Sequence, residues 1–245
     1  MVITSLENEN VKKWKKLQKR KYRDEYGQYI VEGLHLVREA FARGALVEVI
    51  LEEHEEVIFP CPYTYVTREI IEKISTLDNP VNIMGLCRKL NRDEVVGNKI
   101  LILDEIQDPG NLGTIIRSAT AFNFDTLILS EDTVDLYNPK CVRSTVGCLW
   151  KTPVFQIKEF DELKDIFNHY ERVATLPKGG DVENLENYIP SENVLIMFGS
   201  EADGLSDELK GFATKNVTIE MSKEVESLNL SVSAAVFMYK IKQIQ

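Results

Sequence analysis

Lys99-Ile-Leu-Ile-Leu-Asp104 is apolar at four successive positions and ends in an acid. A strand with one face in water alternates apolar and polar residues. A continuous apolar run marks a strand buried on both faces, the condition of a parallel sheet. The pattern recurs further along the chain in Thr126-Leu-Ile-Leu-Ser130, Pro153-Val-Phe-Gln-Ile157, Arg172-Val-Ala-Thr-Leu176 and Val194-Leu-Ile-Met-Phe198. Helices fit between these runs at 112–122, 139–147, 159–169 and 206–212, with Asn138 before Pro139 as a start signal. The expectation is a doubly wound α/β domain over 96–245. In such sheets ligands bind beyond the C-terminal ends of the strands.

The unusual residues collect at those ends. Leu103 is followed by Asp104-Glu-Ile-Gln-Asp-Pro-Gly-Asn111-Leu-Gly-Thr-Ile-Ile-Arg117. Phe198 is followed by Gly199-Ser-Glu201-Ala-Asp-Gly204-Leu-Ser206. A third stretch, Val217-Thr-Ile-Glu-Met221-Ser-Lys-Glu-Val-Glu-Ser227-Leu-Asn229-Leu-Ser-Val-Ser-Ala-Ala235, reads as strand, polar loop and helix. Ser227 and Asn229 suit a helix cap, and equally a loop gripping a polar ligand; the cap is the plainer reading. At about 100° per residue, Arg117 points away from the face carrying Leu112, Ile115, Ile116, Ala119 and Phe122. It is either an ordinary solvent-facing arginine or a fixed cation above the ligand edge, and Glu201 has the same two readings. No GxGxxG and no Walker A pattern occurs, so a Rossmann or P-loop phosphate grip has no support.

The first part of the chain reads as a smaller α/β domain over 1–95. Val11, Trp14 and Leu17 recur at helical spacing within a run holding Lys12, Lys13, Lys15, Lys16, Lys19, Arg20, Lys21 and Arg23 and no acid. This predicts an amphipathic helix with a basic outer face. That face is either merely solvated or tracks phosphates, with Trp14, Tyr22 and Tyr26 as stacking platforms. Strands are expected at 29–32, 47–51, 63–66 and 81–87. Helices are expected at 33–43, stopped by Gly44, and after Thr67 as cap. A polar stretch around 91–98 marks the boundary.

Composition narrows the classes. The 245 residues carry 29 Lys+Arg against 39 Asp+Glu, a net charge of −10, which argues against general nucleic-acid affinity and leaves the basic arm as the local exception. No apolar run reaches membrane-spanning length, and the N-terminus lacks a signal-peptide pattern, so a cytoplasmic protein without membrane contact is expected. Cys61, Cys87, Cys141 and Cys148 show no CxxC spacing, and His35, His54 and His169 are scattered, so no metal site is expected.

Taken in order, the three strand-end stretches resemble the three motifs of the SpoU (TrmH-like) family of SPOUT methyltransferases. The first domain is similar to the L30e-like substrate-binding domain often found ahead of that catalytic domain. The resemblance implies transfer of a methyl group from S-adenosylmethionine (SAM) to a ribose 2′-hydroxyl of RNA, without metal, by a homodimer whose sheet carries a C-terminal trefoil knot. It implies cofactor contacts at Gly199, Ser200, Ile219, Met221, Leu228 and Asn229, largely through backbone. It places the catalytic set on Arg117, Asn111, Glu201, Ser227 and Asn229, and the dimer seam on helices 112–122 and 230–241. The chain departs from the family pattern at Glu220, where proline is usual, and at Lys223, where glycine is. Asn123 stands for another glycine, and Asn82-Ile83 for a Gln-Gly.

In the implied chemistry the sulfonium already activates the methyl, so the protein aligns the oxygen and helps remove its proton. Arg117 is assigned as a clamp on the adjacent phosphate rather than the base, because a guanidinium holds its proton. Ribosomal RNA, of the large subunit, is expected before transfer RNA. A non-catalytic RNA-binding or ribosome-assembly protein on the same fold, and a nucleotide-using enzyme, stand as alternatives.

Overall fold

A computed structural model of the chain describes residues 2–56, 58–90, 95–158, 160–179 and 181–244. The chain forms two compact units, Met1–Asn91 with Asp135–Trp150, and Arg92–Val134 with Lys151–Gln245.

The first unit runs β1 (Val2–Ile3), α1 (Glu9–Lys16), α2 (Arg20–Tyr26), β2 (Gln28–Glu32), α3 (Leu34–Ala42), β3 (Leu46–Glu52), β4 (Tyr63–Val66), α4 (Arg68–Ile74) and β5 (Ile83–Arg88). Its sheet has the order β1-β4-β3-β5-β2, with β5 antiparallel to both neighbours and the other pairs parallel. The basic segment is two helices rather than one, because the chain turns at 17–19. The apolar seam is as read: Val11, Trp14 and Leu17 pack on Ile70, Ile71 and Ile74 of α4. Trp14 is 1% exposed, so it is core and not a stacking platform. Thr67 makes no side-chain cap to α4, and its Oγ1 is buried without a partner among the described residues.

The second unit runs β6 (Lys99–Leu103), α5 (Pro109–Ala121) and β7 (Thr126–Leu129). After α6 (Pro139–Ser144), which belongs to the first unit, it continues with β8 (Val154–Gln156), α7 (Asp161–Lys164), β9 (Glu171–Thr175), β10 (Glu183–Asn184), β11 (Val194–Phe198), α8 (Asp207–Phe212), β12 (Lys215–Thr218) and α9 (Leu230–Ile244). Its sheet order is β10-β12-β9-β11-β6-β7-β8, and each of these pairings is parallel. The runs of β6, β7 and β11 are buried on both faces as expected, whereas β9 is buried only at Val173 and Ala174, and β8, at the sheet edge, is half-buried with Gln156 exposed. Ile100, Ile102, Leu195 and Met197 face Phe160, Leu163, Phe167 and Leu209, around α7 and α8. On β11 the next residue, Phe198, meets Phe237 of α9 edge to face at 5.4 Å. Helix α7 is far shorter than the 159–169 expected.

Helix α6 and its flanks depart from the sequence reading, which kept them in the second domain. Tyr137, Val142, Leu149 and Trp150 join Tyr29, Val31 and Val37 in one core of the first unit. Trp150 donates from Nε1 to the Tyr29 hydroxyl at 3.0 Å. Arg23 donates from Nε to Asp135 Oδ2 at 2.9 Å, and from Nη1 to the Leu17 carbonyl at 2.8 Å.

Candidate active site

The site sits in the second unit where the sheet order reverses. From β6 the chain steps outward through β7 and β8, whereas β11, β9 and β12 lie on the other side. Such a switch point opens a crevice beyond the C-terminal strand ends. The loops after β6, β11 and β12 all end there.

The β6 loop is braced first. Asp104 donates its N–H to the Phe198 carbonyl at 2.8 Å, and its buried carboxylate accepts from the Ser206 N–H at 2.9 Å. The loops after β6 and β11 are thereby fastened together. Helix α5 then begins at Pro109, not at 112. Asp108 is its N-cap and accepts from the Asn111 N–H at 2.8 Å. This start was legible, since Asp108-Pro109 is the same cap-then-proline signal as Asn138-Pro139. The helix ends at Phe122, and Asn123 takes φ +58°, the left-handed conformation expected of it.

The β11 loop closes on itself. Ser200 and Gly204 exchange two backbone hydrogen bonds of 3.1 Å. A Cβ on Gly199 would fall 1.9 Å from the Gly204 carbonyl carbon, so this position admits no side chain. The turn lifts Glu201 into solvent.

The β12 loop ends in Asn229, which caps α9. Its Oδ1 accepts from the Ser231 N–H at 2.9 Å and the Ser231 hydroxyl at 2.7 Å. That fixes the amide. With the oxygen turned to the helix, Nδ2 faces outward and donates to Asn111 Oδ1 at 3.1 Å. Asn111 must then present its own Nδ2, which donates to Glu201 Oε1. Three loops are joined by one directional chain of donors, Ser231 to Asn229 to Asn111 to Glu201. The buried Ser231 was not singled out from sequence.

Arg117 is exposed on α5, and among the described residues no acid lies within ion-pair distance of it. It is a free cation two turns along the helix from Asn111. Ser227 is exposed and not hydrogen-bonded to the other site residues. Gly199 and Ser200 are buried, Ile219 and Met221 half-buried, and Leu228 exposed. Glu220, at the position where proline is usual, pairs with Lys178 at 3.1 Å and accepts a hydrogen bond from Asn184. Among the described residues no group of three or more His, Cys, Asp or Glu is placed to hold a metal.

In the first unit the basic set divides. Arg23 is 3% exposed and spent on Asp135 and Leu17, so it is not available to RNA. Lys12 lies 3.1 Å from Glu7 and 3.3 Å from Glu9, and these two acids raise its pKa. Arg20 lies 3.8 Å from Asp24. Lys13, Lys15, Lys16, Lys19 and Lys21 have no ion pair among the described residues.

A parallel α/β unit with a three-loop site at its switch point defines a ligand-binding enzyme frame that serves many chemistries, and similarity to known proteins narrows it. The SpoU rRNA Methylase family matches residues 98–239, and an MRM3-like substrate binding domain matches residues 8–85. The chain belongs to the SpoU rRNA methylase family. It is 30% identical to the 23S rRNA (guanosine(2553)-2′-O)-methyltransferase RlmP of Bacillus subtilis, over 98% of each chain. An AdoMet-bound rRNA methyltransferase from Sinorhizobium meliloti superposes with a TM-score of 0.87 at 26% identity, covering 99% of this chain and 97% of that one. The SpoU methyltransferase AviRb from Streptomyces viridochromogenes, in complex with AdoMet, shares the fold with a TM-score of 0.88 at 22% identity, over 96% and 97%.

Proposed function

We propose that this chain transfers a methyl group from SAM to a ribose 2′-hydroxyl of large-subunit ribosomal RNA, working in the cytoplasm as a homodimer. The observation that carries the reading is the Asn229-Asn111-Glu201 chain set across the switch point, with Arg117 further along the Asn111 helix and without an acid partner among the described residues. The activity of the Bacillus subtilis relative and the cofactor of the Sinorhizobium meliloti structure point the same way.

The residues present fit SAM. The turn at Gly199 brings bare backbone to the crevice, and half-buried Ile219 and Met221 with exposed Leu228 offer apolar contact to an adenine. Among the described residues no basic cluster lines these loops, as polyphosphate would require. Bound there, the cofactor supplies an electrophilic methyl.

The protein's part is placement. Arg117 offers a planar fork of donors that holds a phosphate beside the target ribose and stabilises negative charge growing on the 2′-oxygen. Glu201 has one carboxylate oxygen committed to Asn111, and its other oxygen is available to orient the incoming hydroxyl. Ser227, exposed in the loop after β12, completes the ribose contact.

Arg117→Ala tests the assignment. Transfer of labelled methyl to ribosomal RNA should fall at least ~100-fold, while SAM affinity by calorimetry stays within about twofold. A parallel loss of SAM affinity would make Arg117 a cofactor residue and refute its role.

A further inference from the structure

Tyr22 and Tyr26 stand one turn apart on α2, their ring planes inclined by 19° and centroids 6.4 Å apart. Tyr26 is 36% exposed and Tyr22 half-buried, so both rings reach the surface of the first unit. Three ammonium groups rest over them. Lys13 Nζ lies 5.3 Å from the Tyr26 centroid, and Lys16 and Lys21 lie 5.4 and 5.8 Å from that of Tyr22. None of the three lysines has an ion pair among the described residues. The nearby acid Asp24 is already engaged by Arg20 and Lys89.

Lysines alone attract phosphate without regard to strandedness. Adjacent ring faces add a second requirement. Stacking on an aromatic needs a base whose own face is open, and in a duplex those faces are covered. The lysines now lying over the rings have long flexible stems. A base arriving on the rings would displace them, and the phosphates on either side of that base would receive them.

We propose that Tyr22 and Tyr26 form a stacking shelf for an unpaired nucleobase of the RNA substrate, with Lys13, Lys16 and Lys21 holding the flanking phosphates. The proposal rests on the reading of the chain as an RNA-modifying enzyme, and adds a preference for unpaired RNA carried by the first unit.

The test uses the full chain, a short fluorescein-labelled oligouridylate and a blunt RNA duplex of equal length. Tyr22→Leu with Tyr26→Leu should weaken oligouridylate binding ~10- to 100-fold, leaving duplex binding, its salt slope and SAM affinity unchanged. Tyr22→Phe with Tyr26→Phe should bind as the parent does. Replacing Lys13, Lys16 and Lys21 by Gln should instead flatten the salt slope for both RNAs. The shelf is overturned if the Leu variant keeps its oligouridylate affinity, if it loses both RNAs equally, or if the Phe variant loses as much as the Leu variant. A measurement on the unaltered protein stands beside these. Oligouridylate should protect Tyr22 and Tyr26 from nitration while leaving exposed Tyr63 reactive, and absence of selective protection also overturns the shelf. An unaltered chain that shows the protection yet binds no SAM would remove the enzyme reading and leave the shelf standing.

Discussion

Asn229 answers two demands with one amide, its oxygen capping α9 and its nitrogen steering Asn111. Asn229→Asp separates the two. A carboxylate caps as well as an amide does, so thermal stability should change by less than about 1 kcal/mol. It cannot donate to Asn111 Oδ1, so the chain to Glu201 is broken. Methyl transfer should fall by ~100-fold, the scale of a small misplacement near reacting atoms. Full activity in that variant would make the chain of amides ornamental. The capping half of this role was legible in the sequence, because a cap is read from neighbours. The steering half was not, since Asn111 lies 118 residues away and the contact depends on which strands end side by side. Arg23 shows the same limit. In the sequence it is one cation among eight, and only its partner Asp135, 112 residues on, takes it out of solvent.

At the scale of elements, the runs apolar at every position declared the parallel sheet, and the three loops followed from where those runs stop. The two-residue strands β1 and β10 are too short to carry a period, and they pair only because longer neighbours offer an open edge. Gly199 was marked as a cofactor position, yet its structural burden is the backbone 1.9 Å from any added Cβ. Gly199→Ala should therefore lower stability by about 2 kcal/mol or more, read as a denaturation midpoint, since backbone and not a flexible side chain must yield. Helix α9 presents Val232, Val236 and Tyr239 to solvent at 48%, 39% and 53%, along one stripe. Tyr239 meets Phe122 at the end of α5 at 5.7 Å, so the stripe continues onto that helix. This is the surface on which we place the dimer. Light scattering at micromolar concentration should give twice the chain mass, and Val232→Glu with Val236→Glu should give one chain. A monomeric parent protein would refute the seam.

For the molecule as a whole, the proposed trefoil knot has a mechanical signature. Pulled from its ends, a knotted chain stops short of the full extension of about 3.4 Å per residue, by the length held in the tightened knot. A chain that reaches full extension carries no knot. The two units of the chain add a different constraint, on the order in which the protein is made. The first unit is not finished when synthesis passes residue 91, because Asp135–Trp150 belongs to it. Until those residues emerge, Tyr29, Val31 and Val37 lack Tyr137, Val142, Leu149 and Trp150 as neighbours, and Arg23 lacks its carboxylate. N-terminal parts of a chain commonly fold while the rest is being translated; here the leading part must wait for β6, α5 and β7 to be laid down first. No single break in the chain frees either unit intact, so a gene fragment cut near residue 95 leaves one half with an open core and the other trailing the piece that fills it.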